Sequence, residues 1–299
     1  MRLKNIRILS VFLILFLLTF CIYTQSVITG EQKDFLWKVQ SKTSTVYVLG
    51  SIHFLKKDIY PLDKKIENAF DRSNILVVEA NINDMNQINV EKLMGGILYP
   101  DNDTLENHVS RETYELIKKE MGRFRIPPEL INKQKPWILA LTLTSLKLIE
   151  MGYDPNYGID MHFLLKAEGK KKISELESLD YQINLFADLS DKEQELFLLY
   201  TLKEINLLEQ EIDKLVQAWI AGDTKGIEFI MNKDIEEDKN MEAIYEKFLY
   251  ERNRNMALKI EDFLKTKDTY FVIVGAGHLV GKKGIIEILR EKGYPVEQL

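Results

Sequence analysis

The chain has 299 residues, 45% of them hydrophobic and 29% charged, which excludes a disordered or fibrous protein. Its net charge of −6 lacks the basic excess of a nucleic-acid-binding surface, and the lysines at 170–172 read as a solvated turn. Cys21 is the sole cysteine, so no intramolecular disulfide forms and stability must come from a core, which a chain of this length supplies.

The N-terminus opens with the basic "MRLKNIR", continues as an uninterrupted apolar run over 8–23, and reaches "TQS" at 24–26. This pattern predicts a signal peptide or membrane anchor over 1–26 and an exported chain over 27–299. Membrane association is expected only through that segment. Lipidation at Cys21 is the alternative, although bulky Phe20 precedes it.

Next, "FLWKVQ" and "TVYVLG" flank the polar "SKTS" and predict two strands. Residues 62–73 predict an amphipathic helix with Ile66, Ala69 and Phe70 on one face, and "NILVVEAN" (74–81) predicts a buried strand. That strand–helix–strand order makes the strands ending at Leu49 and Val78 parallel. The middle reads as helices over 110–124 and 135–152, a third after Gly158, a short strand near 172–175, and nearly unbroken helix over 190–267. Gly222 and residues 234–238 are the expected breaks in that last stretch. "TYFVIV" (269–274), a helix over 282–293 and a short strand in "YPVEQ" complete the chain. The expected fold is α/β: a mixed sheet formed by the N- and C-terminal parts, with a mostly helical insert over about 86–267. Trp37, Trp137 and Trp219 are expected in the core, His108 at the surface, and His162 outside any ligand set.

Ligands of open α/β sheets bind off the carboxyl ends of strands. His53 lies four residues past Leu49, Glu79 directly follows "ILVV", and His278 lies four residues past Val274. Two of the four histidines thus occupy the same word, Gly-x-x-His, after apolar strands. If the three strands are parallel neighbours, two imidazoles and a carboxylate converge as a metal site with open positions, suited to Zn, Mn, Co or Fe alike. The plainer alternative is that both words only terminate strands. Asp160 reads as a helix N-cap, a fourth ligand, or a partner orienting a ligand. Glu177 either orients a ligand histidine or is solvated. Arg252, within a predicted helix, reads by default as a surface ion pair.

"LWKVQSKTSTVYVLGSIHFLKKDIYPL", "ILVVEAN" and "VIVGAGHLVGKKGIIEILREKGYPV" resemble the TraB/PrgY/GumN family, to which the Tiki metalloproteases are related; the likeness runs over about 34–299. Gly50 with His53, Glu79, and Gly275 with His278 match the family pattern, and "KPW" (135–137), "GID" (158–160), "LE" (176–177) and "ERN" (251–253) resemble weaker blocks. The resemblance implies an exported, divalent-metal-dependent hydrolase, most readily a peptidase acting on peptides or proteins. His53, Glu79 and His278 would hold the metal, Asp160 or Glu177 would be the general base, and Arg252 with Asn253 would face a carbonyl oxyanion or substrate carboxylate. The rival expectation is a non-catalytic envelope protein that binds a peptide or haem-like ligand in the same crevice.

Overall fold

A computed structural model describes residues 33–81, 90–237 and 245–299. The expected signal or anchor segment and the start of the insert lie outside these described residues. Among the described residues, no helix is long and apolar enough to cross a membrane.

The chain begins with the expected hairpin, β1 (Leu36–Gln40) and β2 (Thr45–Ser51), antiparallel with Leu36 opposite Leu49. Its turn is fixed by Ser41 Oγ, which accepts from the backbone N–H of Thr43 and Ser44 at 3.1 and 3.0 Å. α1 (Lys64–Arg72) starts at Asp63, whose side chain accepts from Lys65 N, and it buries Ile66, Ala69 and Phe70. The Phe70 ring meets those of Phe163 and Phe271 at 4.9 and 5.5 Å. β3 (Ile75–Val78) follows, buried throughout. β2 and β3 run in the same direction as expected, but β5 (Thr269–Gly275) lies between them, parallel to both. Strands covered on both faces need no polar alternation, which accounts for the continuous apolar runs in "ILVV" and "YFVIV". β4 (Lys172–Glu175) pairs parallel with β3 and β6 (Val296–Gln298) antiparallel with β1. The sheet is therefore mixed and six-stranded, in the order β4-β3-β5-β2-β1-β6.

Between β3 and β5 the described chain is mostly helical: α2 (Val90–Ile97), α3 (Arg111–Arg123), α4 (Pro128–Lys133), α5 (Pro136–Glu150), α6 (Ile159–Ala167), α7 (Leu179–Ala187), α8 (Asp191–Glu204), α9 (Leu208–Ile220), α10 (Thr224–Glu237) and α11 (Glu251–Leu264). Ser110, Ser178 and Ser190 start α3, α7 and α8 by accepting backbone N–H bonds, with a capping box to Glu193 at the last. The break at Gly222 separates α9 from α10; of the second expected break, over 234–238, residues 234–237 are the last helical residues of α10 and residue 238 lies outside the described residues. α12 (Ile285–Glu291) starts three residues later than expected because Gly284, its N-cap, is extended.

All three tryptophans are buried as expected. Trp219 Nε1 donates to Gly50 O at 2.7 Å and Trp137 Nε1 to Gly96 O at 3.1 Å, so each indole also satisfies its polar atom. Gly50 is required by packing: a Cβ there would lie 2.3 Å from Cδ1 of the buried Phe35 ring. His108 lies near the surface, half-buried, and does more there than meet solvent. Its ring stacks on Tyr99 at 4.2 Å, with Nε2 bonded to Asp103 (2.7 Å) and Nδ1 to Asp191 (2.8 Å).

Candidate active site

The carboxyl ends of β3, β5 and β2 lie side by side, and the register sets Ser51 opposite Gly275. Each strand then releases one of the singled-out residues into one cleft: Glu79 after β3, His278 after β5, His53 after β2. The juxtaposition read from the sequence is the one observed.

His53 sits at the mouth, with about a third of its side chain exposed. The loop carrying it is tied to the segment before α6 by paired backbone bonds between Leu55 and Asp154, and Ile159 N donates to Ile52 O at 3.1 Å. Gly158 makes this approach possible: a Cβ there would lie 2.2 Å from His53 O. Gly158, and not Asp160, is the N-cap of α6, which corrects the first of the three readings of Asp160. From the first turn, Asp160 Oδ2 instead bonds His53 Nδ1 at 2.6 Å. Burial draws the His53 pKa down, but the charge and hydrogen bond of Asp160 outweigh it and the net shift is upward.

His278 is buried at the other wall. Its Nδ1 lies 2.6 Å from Asn253 Oδ1, while Asn253 Nδ2 donates to Lys283 O at 2.8 Å. Since the amide nitrogen serves a carbonyl, the amide oxygen faces the imidazole, which must carry its proton on Nδ1. Burial, with Arg252 close by, pushes the His278 pKa down to about 3, so the ring is neutral and its Nε2 is a lone-pair donor.

Glu79 faces His278, with its Oε1 3.8 Å from the ring Nε2. Oε1 accepts from Gly275 N at 2.6 Å, and Oε2 accepts from Arg252 (2.7 Å) and Gln182 (3.1 Å). Burial would raise its pKa, but His278, Arg252, His53 and the Gly275 amide draw it down to about 2, so the group is a carboxylate. Glu177, read as solvated in one of its two expectations, is buried. Its backbone N–H donates to Glu79 O at 2.7 Å, which extends the β3–β4 ladder and brings the two side chains together.

Arg252 is likewise buried between Glu79 and Glu177, not in a surface pair. Its Nε donates to Glu177, Nη1 to Phe248 O at 3.1 Å, and Nη2 to both Glu79 and Glu177. With four of five N–H groups engaged in this way, Arg252 positions the carboxylates and has little donor capacity left for a substrate. Arg252 and Asn253 follow directly on a π-helical turn, Glu246–Tyr250, a distortion frequent where a helix serves a site. Gln182, which bridges Glu79 and Glu177, was not foreseen; nothing in the pattern of α7 marks it. His162 stays apart, its ring against Tyr60 at 4.8 Å.

Among the described residues, no group of three His, Cys, Asp or Glu side chains stands ready-made as a metal cage. The chemistry of the donors nevertheless fits a cation. Each imidazole gives its Nδ1 to an oxygen acceptor, the arrangement typical of metal-ligating histidines. His278 Nε2 and Glu79 Oε1 lie 3.8 Å apart with no proton between them. His278 and Glu79, with His53 on the same cleft, are the side chains that would hold a cation there.

The profile of the TraB/PrgY/gumN family matches residues 35–298. The uncharacterized protein YbaP of Escherichia coli (strain K12) is 27% identical over 251 residues, 82% of this chain and 87% of that protein. An uncharacterized protein of Treponema pallidum is 22% identical over 286 residues, 89% of this chain and 83% of that protein. The metalloprotease TIKI2 of Danio rerio is 22% identical over 321 residues, 89% of this chain but 62% of that protein. No solved structure matches the chain.

Proposed function

Because the chain belongs to the TraB/PrgY/gumN family, we propose that it is a divalent-metal-dependent peptidase whose cation is held by His53, Glu79 and His278. The observation that carries this reading is the pair of imidazoles on one cleft, each committed through Nδ1 to a fixed acceptor. Relatives named metalloproteases align with 89% of the chain and support it. When bound, a divalent cation supplies Lewis acidity, polarising a carbonyl and acidifying water.

The chain's own residues prepare the cleft for that chemistry. Asp160 and Asn253 hold the Nδ1 protons of His53 and His278 and so aim the opposite edge of each ring. Arg252 helps keep Glu79 ionised and fixes the side chains of both Glu79 and Glu177. Asp160 and Glu177, the two expected general bases, are thus first of all positioning residues. The cavity is ≈ 140 Å³, below the roughly 300–1,000 Å³ of sites that enclose a whole drug-sized ligand. That favours a peptide lying across the cleft over an enclosed haem-like group.

Elemental analysis of the purified chain, melting curves with added Mn, Co or Zn, and cleavage of a mixed peptide library test the proposal. The expected result is stoichiometric metal, a metal-induced rise in melting temperature, and cleavage, all lost in His278→Ala. Retention of stoichiometric metal by both His53→Ala and His278→Ala would sink the ligand assignment.

A further inference from the structure

The cleft is lined by two kinds of residue. His53, Glu79, Gln182, Arg252 and His278 carry its polar chemistry; Leu185, Phe186, Leu215, Met231, Phe248 and Leu249 give it an apolar lining. These apolar residues come from separate elements. α7 brings Leu185 and Phe186, α9 brings Leu215, α10 brings Met231, and the π-helical turn brings Phe248 and Leu249. The wall is rigid: Phe186 stacks on Trp137 at 5.4 Å and meets Phe248 edge-on at 5.0 Å. Met231 packs against the turn that carries His278, so closely on Gly277 that a Cβ there would lie 2.7 Å from Met231 Cε.

Chemistry at a carbonyl needs only the polar residues. An apolar lining beside them serves to bury something apolar that is attached to the reacting group. Size limits what. The whole cleft, polar side chains included, is ≈ 140 Å³, room for one side chain and not for a folded segment or a polycyclic ligand. From this we infer that the apolar lining forms a specificity pocket for a single large apolar side chain, Leu, Met or Phe, flanking the scissile bond of a peptide. This rests on the peptidase reading and adds the substrate class to it. Phe186 and Phe248 line it with aromatic rings, and Met231 is an unbranched, adaptable part of the lining.

The same π-helical turn joins the two kinds of residue. Phe248 contributes its ring to the pocket and its carbonyl oxygen to Arg252 Nη1, which in turn positions Glu79. A side chain seated against Phe248 therefore lies one residue's interactions away from the carboxylate beside His278.

The experiment is a set of otherwise identical quenched-fluorescent peptides with Phe, Leu, Met, Ala, Asp or Lys at one position on either side of the bond. They are assayed with the metal-loaded full chain for cleavage and by calorimetry for binding. At one of the two positions, kcat/KM for Phe or Leu should exceed that for Ala by at least about 10-fold, the scale on which an apolar pocket discriminates. Asp and Lys should be poorer still. Phe248→Ala should widen the pocket, so that a Trp peptide gains several-fold relative to Leu; that change in preference is not one a general loss of stability would produce. Met231→Leu, which keeps volume, should leave the order intact. Cleavage with no side-chain preference would overturn the pocket and leave the peptidase reading standing. Apolar-selective binding without cleavage under any metal would overturn the peptidase reading and leave the pocket. Absence of both would overturn both.

Discussion

Asn253 is fully buried, and both ends of its carboxamide are engaged, one by His278 and one by Lys283 O. Its function is legible only in that geometry. From the sequence it is a polar residue inside a helix, whereas His53 and His278 announce themselves by a shared word at strand ends. Glu177, between Leu and Ser, left two readings open from the sequence, a partner of a ligand histidine or a solvated side chain; the backbone bond to Glu79 O draws it inside. Asn253→Ala removes the acceptor for the His278 Nδ1 proton and leaves the Lys283 carbonyl unpaired. Partners that orient a ligand histidine are worth about 10–100-fold in metal affinity, and that loss is the expected outcome by chelator competition. Stability should fall by about 1–3 kcal/mol, the cost of an unsatisfied buried group. Asn253→Asp, which retains the oxygen facing His278, should keep more of the affinity than Asn253→Ala. Wild-type affinity in Asn253→Ala would show that the contact does not support a ligand.

Among the elements, the parallel strands and the stripe on α1 followed directly from periodicity, because burial on both faces and on one face leave different patterns. Side-chain clamps between elements leave no such pattern, and His108 is one. It joins the turn carrying Asp103 to Asp191 in the first turn of α8, over a separation of 83 residues. Burial lowers its pKa, but the hydrogen bonds and charges of Asp191 and Asp103 outweigh burial and the net shift is upward from 6.5. A group whose pKa is raised on folding stabilises as the cation. Its contribution is complete below the unfolded value near 6.5 and fades as pH rises through the higher folded value. Asp191 is well exposed, so the contribution should stay under about 1 kcal/mol. His108→Gln should therefore melt below the wild type by a margin that is widest near about pH 6 and narrows towards about pH 9. A margin independent of pH would mean that the clamp works through the stacking on Tyr99 and not through charge.

At the scale of the molecule, the site draws on residues from 53 to 278, and only the sheet order makes them neighbours. The sequence indicated parallel strands but not that β5 inserts between β2 and β3, because strand order follows from how the insert folds back and not from any local pattern. The chain's start is fastened to its end: Asp34 N donates to Leu299 O at 2.6 Å, and β1 is an inner strand between β2 and β6. Removing residues 1–26 would thus leave every strand among the described residues intact, with β1 beginning at Leu36. We propose that this removal happens on export. The basic start, the apolar run over 8–23 and the polar "TQS" carry the proposal. N-terminal sequencing of the protein recovered from culture fluid, envelope and cytoplasm tests it, and a first residue near Val27 outside the cytoplasm is the expected outcome. An intact Met1 confined to the membrane fraction would mean that the run over 8–23 is kept as an anchor, since a run of that length is at the short edge of a span. An intact Met1 on a cytoplasmic protein would overturn export altogether, and with it the expectation that the substrate is an extracytoplasmic peptide or protein.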